Sequence, residues 1–160
     1  MRFGPPFDYA RRQDGRRVAY QVVGGGDLDL VFLFGWPTHL GLMWENPSFA
    51  GFLNKLASFS RLILYDRVGG GLSDRGGAAP GFEDEMDDLQ AVLAAVGSER
   101  AALFGCHSGG RLALLLALIR DGETFDEDMV LSMVAPSEVI DPSVGIPDDW
   151  QLYAVELAEG

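Results

Sequence analysis

The spacing of apolar residues changes character from segment to segment, and each change marks an element. Tyr9-Ala-Arg-Arg12 and Arg17–Val23 flank the turn dipeptide Asp14-Gly15 and predict a β-hairpin, which Gly24-Gly25-Gly26 ends. Leu30–Phe34 and Arg61–Tyr65 are apolar without alternation, the pattern of strands covered on both faces. Between them, Phe49–Phe59 has helical spacing, with Phe52, Leu53 and Leu56 on one face. Phe82–Val96 predicts a strongly amphipathic helix, since Met86, Leu89, Val92, Leu93 and Val96 recur at helical intervals. Glu83, Asp84, Glu85, Asp87 and Asp88 crowd its first two turns, where negative charge complements the helix dipole, and Gly97 is a natural stop. A strand over Ala101–Gly105, a glycine-rich turn, a helix over Arg111–Arg120 and a strand over Met129–Val134 follow, and Pro147–Gly160 reads as helical.

A hairpin, three strand–helix units and a further strand imply an α/β fold: three layers, α/β/α, around a mainly parallel sheet. Right-handed crossovers place helices on both faces. With 160 residues the chain suits one domain, with a core over about 9–134. Pro142 and Pro147 mark a change of character from about Asp141, so 141–160 is expected to begin a lid-like or fold-back helical segment.

Composition narrows the partners. Hydrophobic residues make up 48% and charged residues 22%, an ordinary soluble balance. A formal charge of −12, from 24 acidic and 12 basic side chains, repels phosphate backbones and anionic lipid, so neither nucleic acid nor a membrane surface is an expected partner. One cysteine, Cys106, excludes an intramolecular disulfide and a cysteine-based zinc cluster within the chain. No signal peptide is recognisable after Met1, and the longest apolar run, Leu112–Ile119, is far short of a membrane span. The expectation is a cytoplasmic protein without a metal or cofactor.

The chemistry concentrates in Leu103-Phe-Gly-Cys-His-Ser-Gly-Gly-Arg-Leu-Ala-Leu-Leu-Leu-Ala117, where a buried strand runs into small residues and then a helix. This resembles the nucleophile elbow of α/β-hydrolases, a sharp turn of pattern Gly-x-nucleophile-x-Gly in which small neighbours let the backbone reverse. Leu33-Phe-Gly-Trp-Pro37 stands where that family places its oxyanion loop. Asp66-Arg-Val-Gly-Gly-Gly-Leu-Ser-Asp74 is similar to its Asp-x-Arg-Gly-x-Gly-x-Ser loop. Thr38-His39-Leu40 with Trp44-Glu-Asn-Pro47 resembles hydrolase-like domains fused to bacterial cyclases or regulators. The resemblance runs from about Tyr9 to Val134 and implies the N-terminal part of the fold, ending before the sheet and its catalytic residues are complete.

Departures from the family pattern matter as much. Aligning Gly105 and Gly109-Gly110 without a gap puts His107 at the nucleophile position, and Gly109-Gly-x-x-Ala-x-x-x-Ala117 favours that register. Shifting by one residue makes Ser108 the nucleophile, at the expense of placing Cys106 where a glycine is usual. Phe34 replaces a histidine common before the oxyanion glycine, and Val68 replaces the loop arginine. A serine needs a general base, and no histidine follows His107. His39 is a candidate base from the oxyanion-loop side; its alternative is to bond within its own loop. Glu138 and Asp141 stand where some hydrolases hold their acid, or are solvated loop residues. Cys106, at the end of a buried strand, reads as a small core residue.

Two functions follow from the resemblance. One is a serine hydrolase of small carboxylic esters or amides, with Ser108 as nucleophile, His107 or His39 as base, and Trp36 and Gly109 as oxyanion donors. The other is a non-catalytic, hydrolase-like module that binds a small ligand or a partner. A sheet stopped at Met129–Val134 would leave an open edge, for which a homodimer or a partner chain is the expected cover.

Overall fold

The computed structural model describes residues 4–35, 38–77, 81–106, 108–110, 112–113 and 155–156. The hairpin is β1 (Asp8–Arg11) and β2 (Arg17–Val23), antiparallel and turning at Gly15, whose φ of 87° suits glycine. After it come β3 (Asp29–Leu33), α1 (Leu40–Met43), α2 (Pro47–Ala57), β4 (Arg61–Tyr65), α3 (Phe82–Val96) and β5 (Ala102–Gly105). Residues 108–110 and 112–113 are helical, so the helix expected from Arg111 is already under way at Ser108. The expected strand Met129–Val134, the rest of that helix, and Glu138 and Asp141 lie outside the described residues.

The sheet order is β1-β2-β4-β3-β5, extended by a two-residue strand β6 (Val155–Glu156). β3 pairs in parallel with both β4 and β5, and the hairpin joins antiparallel through β2 and β4. β6 falls inside the 147–160 stretch expected to be helical and corrects that expectation at these two residues. They pair antiparallel with Ala102 and Leu103, on the side of β5 away from β3.

The absence of alternation in the central strands has a direct cause. On one face Val31, Leu33, Ile63, Tyr65 and Leu103 pack with Leu89 and Val92 of α3 and with Leu112 and Ala113. On the other, Leu30, Phe32, Leu62 and Leu64 pack with Leu40 and with Leu53 of α2. Both faces are core, so successive residues are equally apolar. Each fully buried leucine contributes roughly 1.5–3 kcal/mol relative to exposure.

The helix ends follow local chemistry. α2 starts two residues before the apolar spacing announces it, because Asn46 caps it by accepting from the N–H groups of Ser48 and Phe49, and Pro47 fits the first turn. α3 stops where expected: Gly97 takes φ 65° and Ser98 N–H reaches back to the Leu93 carbonyl. Gly51, exposed within α2, has no atom within 4 Å of where a Cβ would stand. Gly51→Ala is therefore expected to stabilise the fold by about 0.5–1 kcal/mol, read as a higher urea midpoint with an unchanged m-value.

α3 carries a buried electrostatic cluster. Arg12, on the hairpin turn, donates to Asp88 at 2.8 Å and to Asp84 and Asp87 at 3.1 Å, with Asp14 at 3.0 Å. Asp88 also accepts the Val68 N–H at 2.9 Å. Burial pushes the Asp88 carboxyl up, while the Val68 N–H and the Arg12 guanidinium pull it back. Arg67, also buried, pairs with Glu85.

Candidate functional site at the strand ends

β3 lies between β4 and β5, and the chain leaves the carboxyl ends of β3 and β5 toward opposite faces of the sheet. From β3 it passes through α1 and α2 on one face. From β5 it turns into the helix whose Leu112 and Ala113 pack on the other face. Loops that diverge in this way open a crevice at the carboxyl ends of the strands, the general ligand position in open α/β sheets. The loop after β3 and the turn after β5 form its two sides.

The turn after β5 is as tight as the backbone allows. Cys106 N–H continues the parallel ladder to the Leu33 carbonyl at 2.9 Å, and Gly109 N–H closes the reversal onto the Cys106 carbonyl at 3.0 Å. A Cβ on Gly105 would stand 2.5 Å from Gly110 Cα and 2.7 Å from the Gly109 carbonyl oxygen, and one on Gly109 would overlap the Leu33 carbonyl. Strand and helix backbones touch here, so only hydrogen fits at both positions. The reversal spans Cys106 to Gly109, with 107 and 108 as its central pair.

Ser108 is exposed and is the first described residue of the helix, while Gly109 is buried with its N–H committed to the turn. His107 and Trp36 lie outside the described residues. Cys106 is partly buried, and burial pushes its thiol up to about 11, so the nucleophilic thiolate is scarce near neutral pH.

His39 caps α1: its Nδ1 accepts the Leu42 N–H at 3.4 Å and its carbonyl accepts the Met43 N–H at 3.1 Å. The four-residue helix α1 has no apolar repeat in the sequence; Thr38-His39 before Leu40 is the one local signal for it.

The wall on the α2 face is aromatic. Phe32 stacks on Phe104 at 5.5 Å between centroids, and Phe34, the residue in place of the family's histidine, meets Phe49 at 5.5 Å and Phe32 at 5.7 Å. Phe34 thus supplies apolar surface where a histidine would supply polarity. The sequence reading missed this wall, although Phe32, Phe34, Phe49, Phe52 and Phe104 were visible in it.

The loop after β4 explains its own motif. Asp66, fully buried, accepts from Leu40 N–H at 3.0 Å and Leu72 N–H at 2.9 Å through Oδ2. Gly71, at φ 49°, lies so close to that carboxylate that a side chain would collide with it. Ser73 Oγ accepts the Ala19 N–H at 2.8 Å and donates to the Asp66 carbonyl at 2.5 Å. Val68 does not take an arginine's role: it is buried in the α3-side core, and Arg67 provides the guanidinium.

At the carboxyl ends of β3 and β4, Phe32, Leu33, Phe34, Thr38, Tyr65 and Arg67 line a small cavity of about 10 Å³. Among the described residues no group of three His, Cys, Asp or Glu is placed to hold a metal, and no helix is long and apolar enough to cross a membrane.

No family model matches the chain. An AB hydrolase superfamily protein of Bacillus subtilis, YisY, is 30% identical over 130 residues, covering 81% of this chain and 46% of the relative. The chain thus spans about half the length of the curated relative it matches. Among solved structures, a loop variant of the haloalkane dehalogenase DbeA from Bradyrhizobium elkanii superposes with a TM-score of 0.59 at 26% identity, over 72% of this chain and 36% of that one. Est816, described as an N-acyl homoserine lactone degrading enzyme, gives 0.56 at 30% identity, over 69% and 40%. The strand order, the glycine-closed turn after β5 and these likenesses lead to one conclusion: the chain has the α/β-hydrolase fold and spans its N-terminal part.

Proposed function

We infer that the crevice between the ends of β3 and β5 binds a small carboxylic ester, lactone or carboxylate, and that its elbow presents His107 in place of a nucleophilic serine. The observation carrying this reading is the turn itself. Gly105 and Gly109, both crowded to the point where a Cβ has no room, lie two residues either side of position 107 in the sequence, as the family pattern requires of a nucleophile there. Gly109 N–H is taken by the Cys106 carbonyl, so it is not available as the oxyanion donor that a Ser108 nucleophile would need next to it. The aromatic wall around Phe34 suits the apolar part of such a ligand, and the opening turn of the helix suits its carbonyl or carboxylate. The lactone within this class agrees with the substrate named for Est816.

A second reading keeps Ser108 as the nucleophile of an esterase, because it is exposed at the start of the helix. Labelling with a fluorophosphonate probe and turnover of p-nitrophenyl acetate separate the two. The expected result is that Ser108→Ala changes neither. Labelling that disappears in Ser108→Ala would establish the serine hydrolase instead.

A further inference from the structure

Two buried hydroxyls at the carboxyl ends of β3 and β4, Thr38 Oγ1 and Tyr65 Oη, have no hydrogen-bond partner among the described residues. Each residue is 7% exposed, and both line the same cavity of about 10 Å³. A buried hydroxyl left dry bears its full desolvation cost, so such groups are rarely left unpaired. The cavity admits a water molecule, and the two hydroxyls offer it the polar partners that an ordered water needs. A bare cation does not suit it, because the Arg67 guanidinium lines the same space.

We propose that this cavity is a specific site for one water molecule, which bridges Tyr65 on β4 to Thr38 in the loop after β3. The Tyr65 hydroxyl donates to the water, and the water donates to Thr38 Oγ1. Burial pushes the Tyr65 phenol up, so it retains the proton that it donates. Thr38 precedes by two residues Leu40, whose N–H is held by Asp66. The loop is then fixed to consecutive residues of the β4 end at two points, by a carboxylate and by a water. Thr38 and Tyr65 act as positioning residues for the side of the crevice that carries the oxyanion-loop segment.

The test is a double-mutant cycle in the full chain, with Tyr65→Phe, Thr38→Val and both together, read by urea unfolding. Each single variant is expected to lower the folding equilibrium constant about five- to tenfold, and the double variant to lower it no further than the more damaging single. A dry cavity predicts the opposite sign, because removing an orphaned hydroxyl then relieves a penalty. A Tyr65→Phe protein as stable as the parent, or effects that add fully, would overturn the proposal. Water–amide cross-relaxation in NMR gives a second readout that needs no unfolding. A long-lived water signal at the Thr38 amide is expected in the parent and not in Tyr65→Phe, and its absence from the parent would also overturn the site.

Discussion

An Asp88→Ala variant is expected to lose about 1–3 kcal/mol of folding stability, the usual penalty for leaving a buried hydrogen-bonding group without its partner. Asp88 is 1% exposed and holds two donors, the Arg12 guanidinium and the Val68 N–H. Removing its carboxylate leaves that N–H without its acceptor. Arg12, itself 5% exposed, then keeps Asp84, Asp87 and Asp14, whose side chains are 39%, 60% and 38% exposed and screened by solvent. The pair joins the hairpin turn to α3, so its loss also loosens the attachment of β1 and β2 to the rest of the sheet. Urea unfolding followed by tryptophan fluorescence measures the effect. The combined variant Arg12→Met with Asp88→Leu should recover most of the loss, because an apolar pair of similar volume carries no desolvation debt. A loss below about 1 kcal/mol in Asp88→Ala would mean that the pair behaves as a solvated surface bridge.

Gly109→Ala is the second large effect. The new methyl would meet the Leu33 carbonyl, a backbone atom of a central strand that has nowhere to retreat. Overpacking of this kind costs about 1–3 kcal/mol, occasionally more, and here it also pushes the elbow helix away from β3. The expected result is a lower urea midpoint together with amide chemical-shift changes at Leu33 and Cys106, which share the hydrogen bond beside the clash. Gly25→Ala is the control: no atom lies within 4 Å of its Cβ position, so it should show neither change. Equal behaviour of the two variants would remove the steric requirement for glycine at position 109.

The elements that could be read from sequence are those with a local cause. β4 and α3 fall at the residues expected, because an uninterrupted apolar run and a helical repeat closed by glycine are both written within a few neighbours. The elbow was legible for the same reason, since Gly105, Gly109 and Gly110 answer a steric demand made by adjacent backbone. The acids of α3 were legible only in part. Their fit to the helix dipole is local, but Asp88 and Glu85 also serve Arg12 and Arg67, and the first of these partners is 76 positions away. No periodicity reports a pairing of that kind. The cap made by His39 was open as an alternative before the structure, because a histidine ahead of a four-residue helix gives too short a pattern to decide. The β6 pairing was hidden for a different reason: it joins two residues to a strand about 50 positions earlier, within a stretch whose sequence spacing reads as helical.

The arrangement around Asp66 has a consequence for how the mouth of the crevice responds to change. One carboxylate oxygen grips the start of α1 and the 66–74 loop together, and Ser73 fastens that loop to the hairpin through Ala19. Three stretches of chain far apart in sequence are thereby geared to a single side chain. A disturbance in any one of them, whether a substitution at Gly71 or a ligand pressing on the α1 end, reaches the other two without passing through the hydrophobic core.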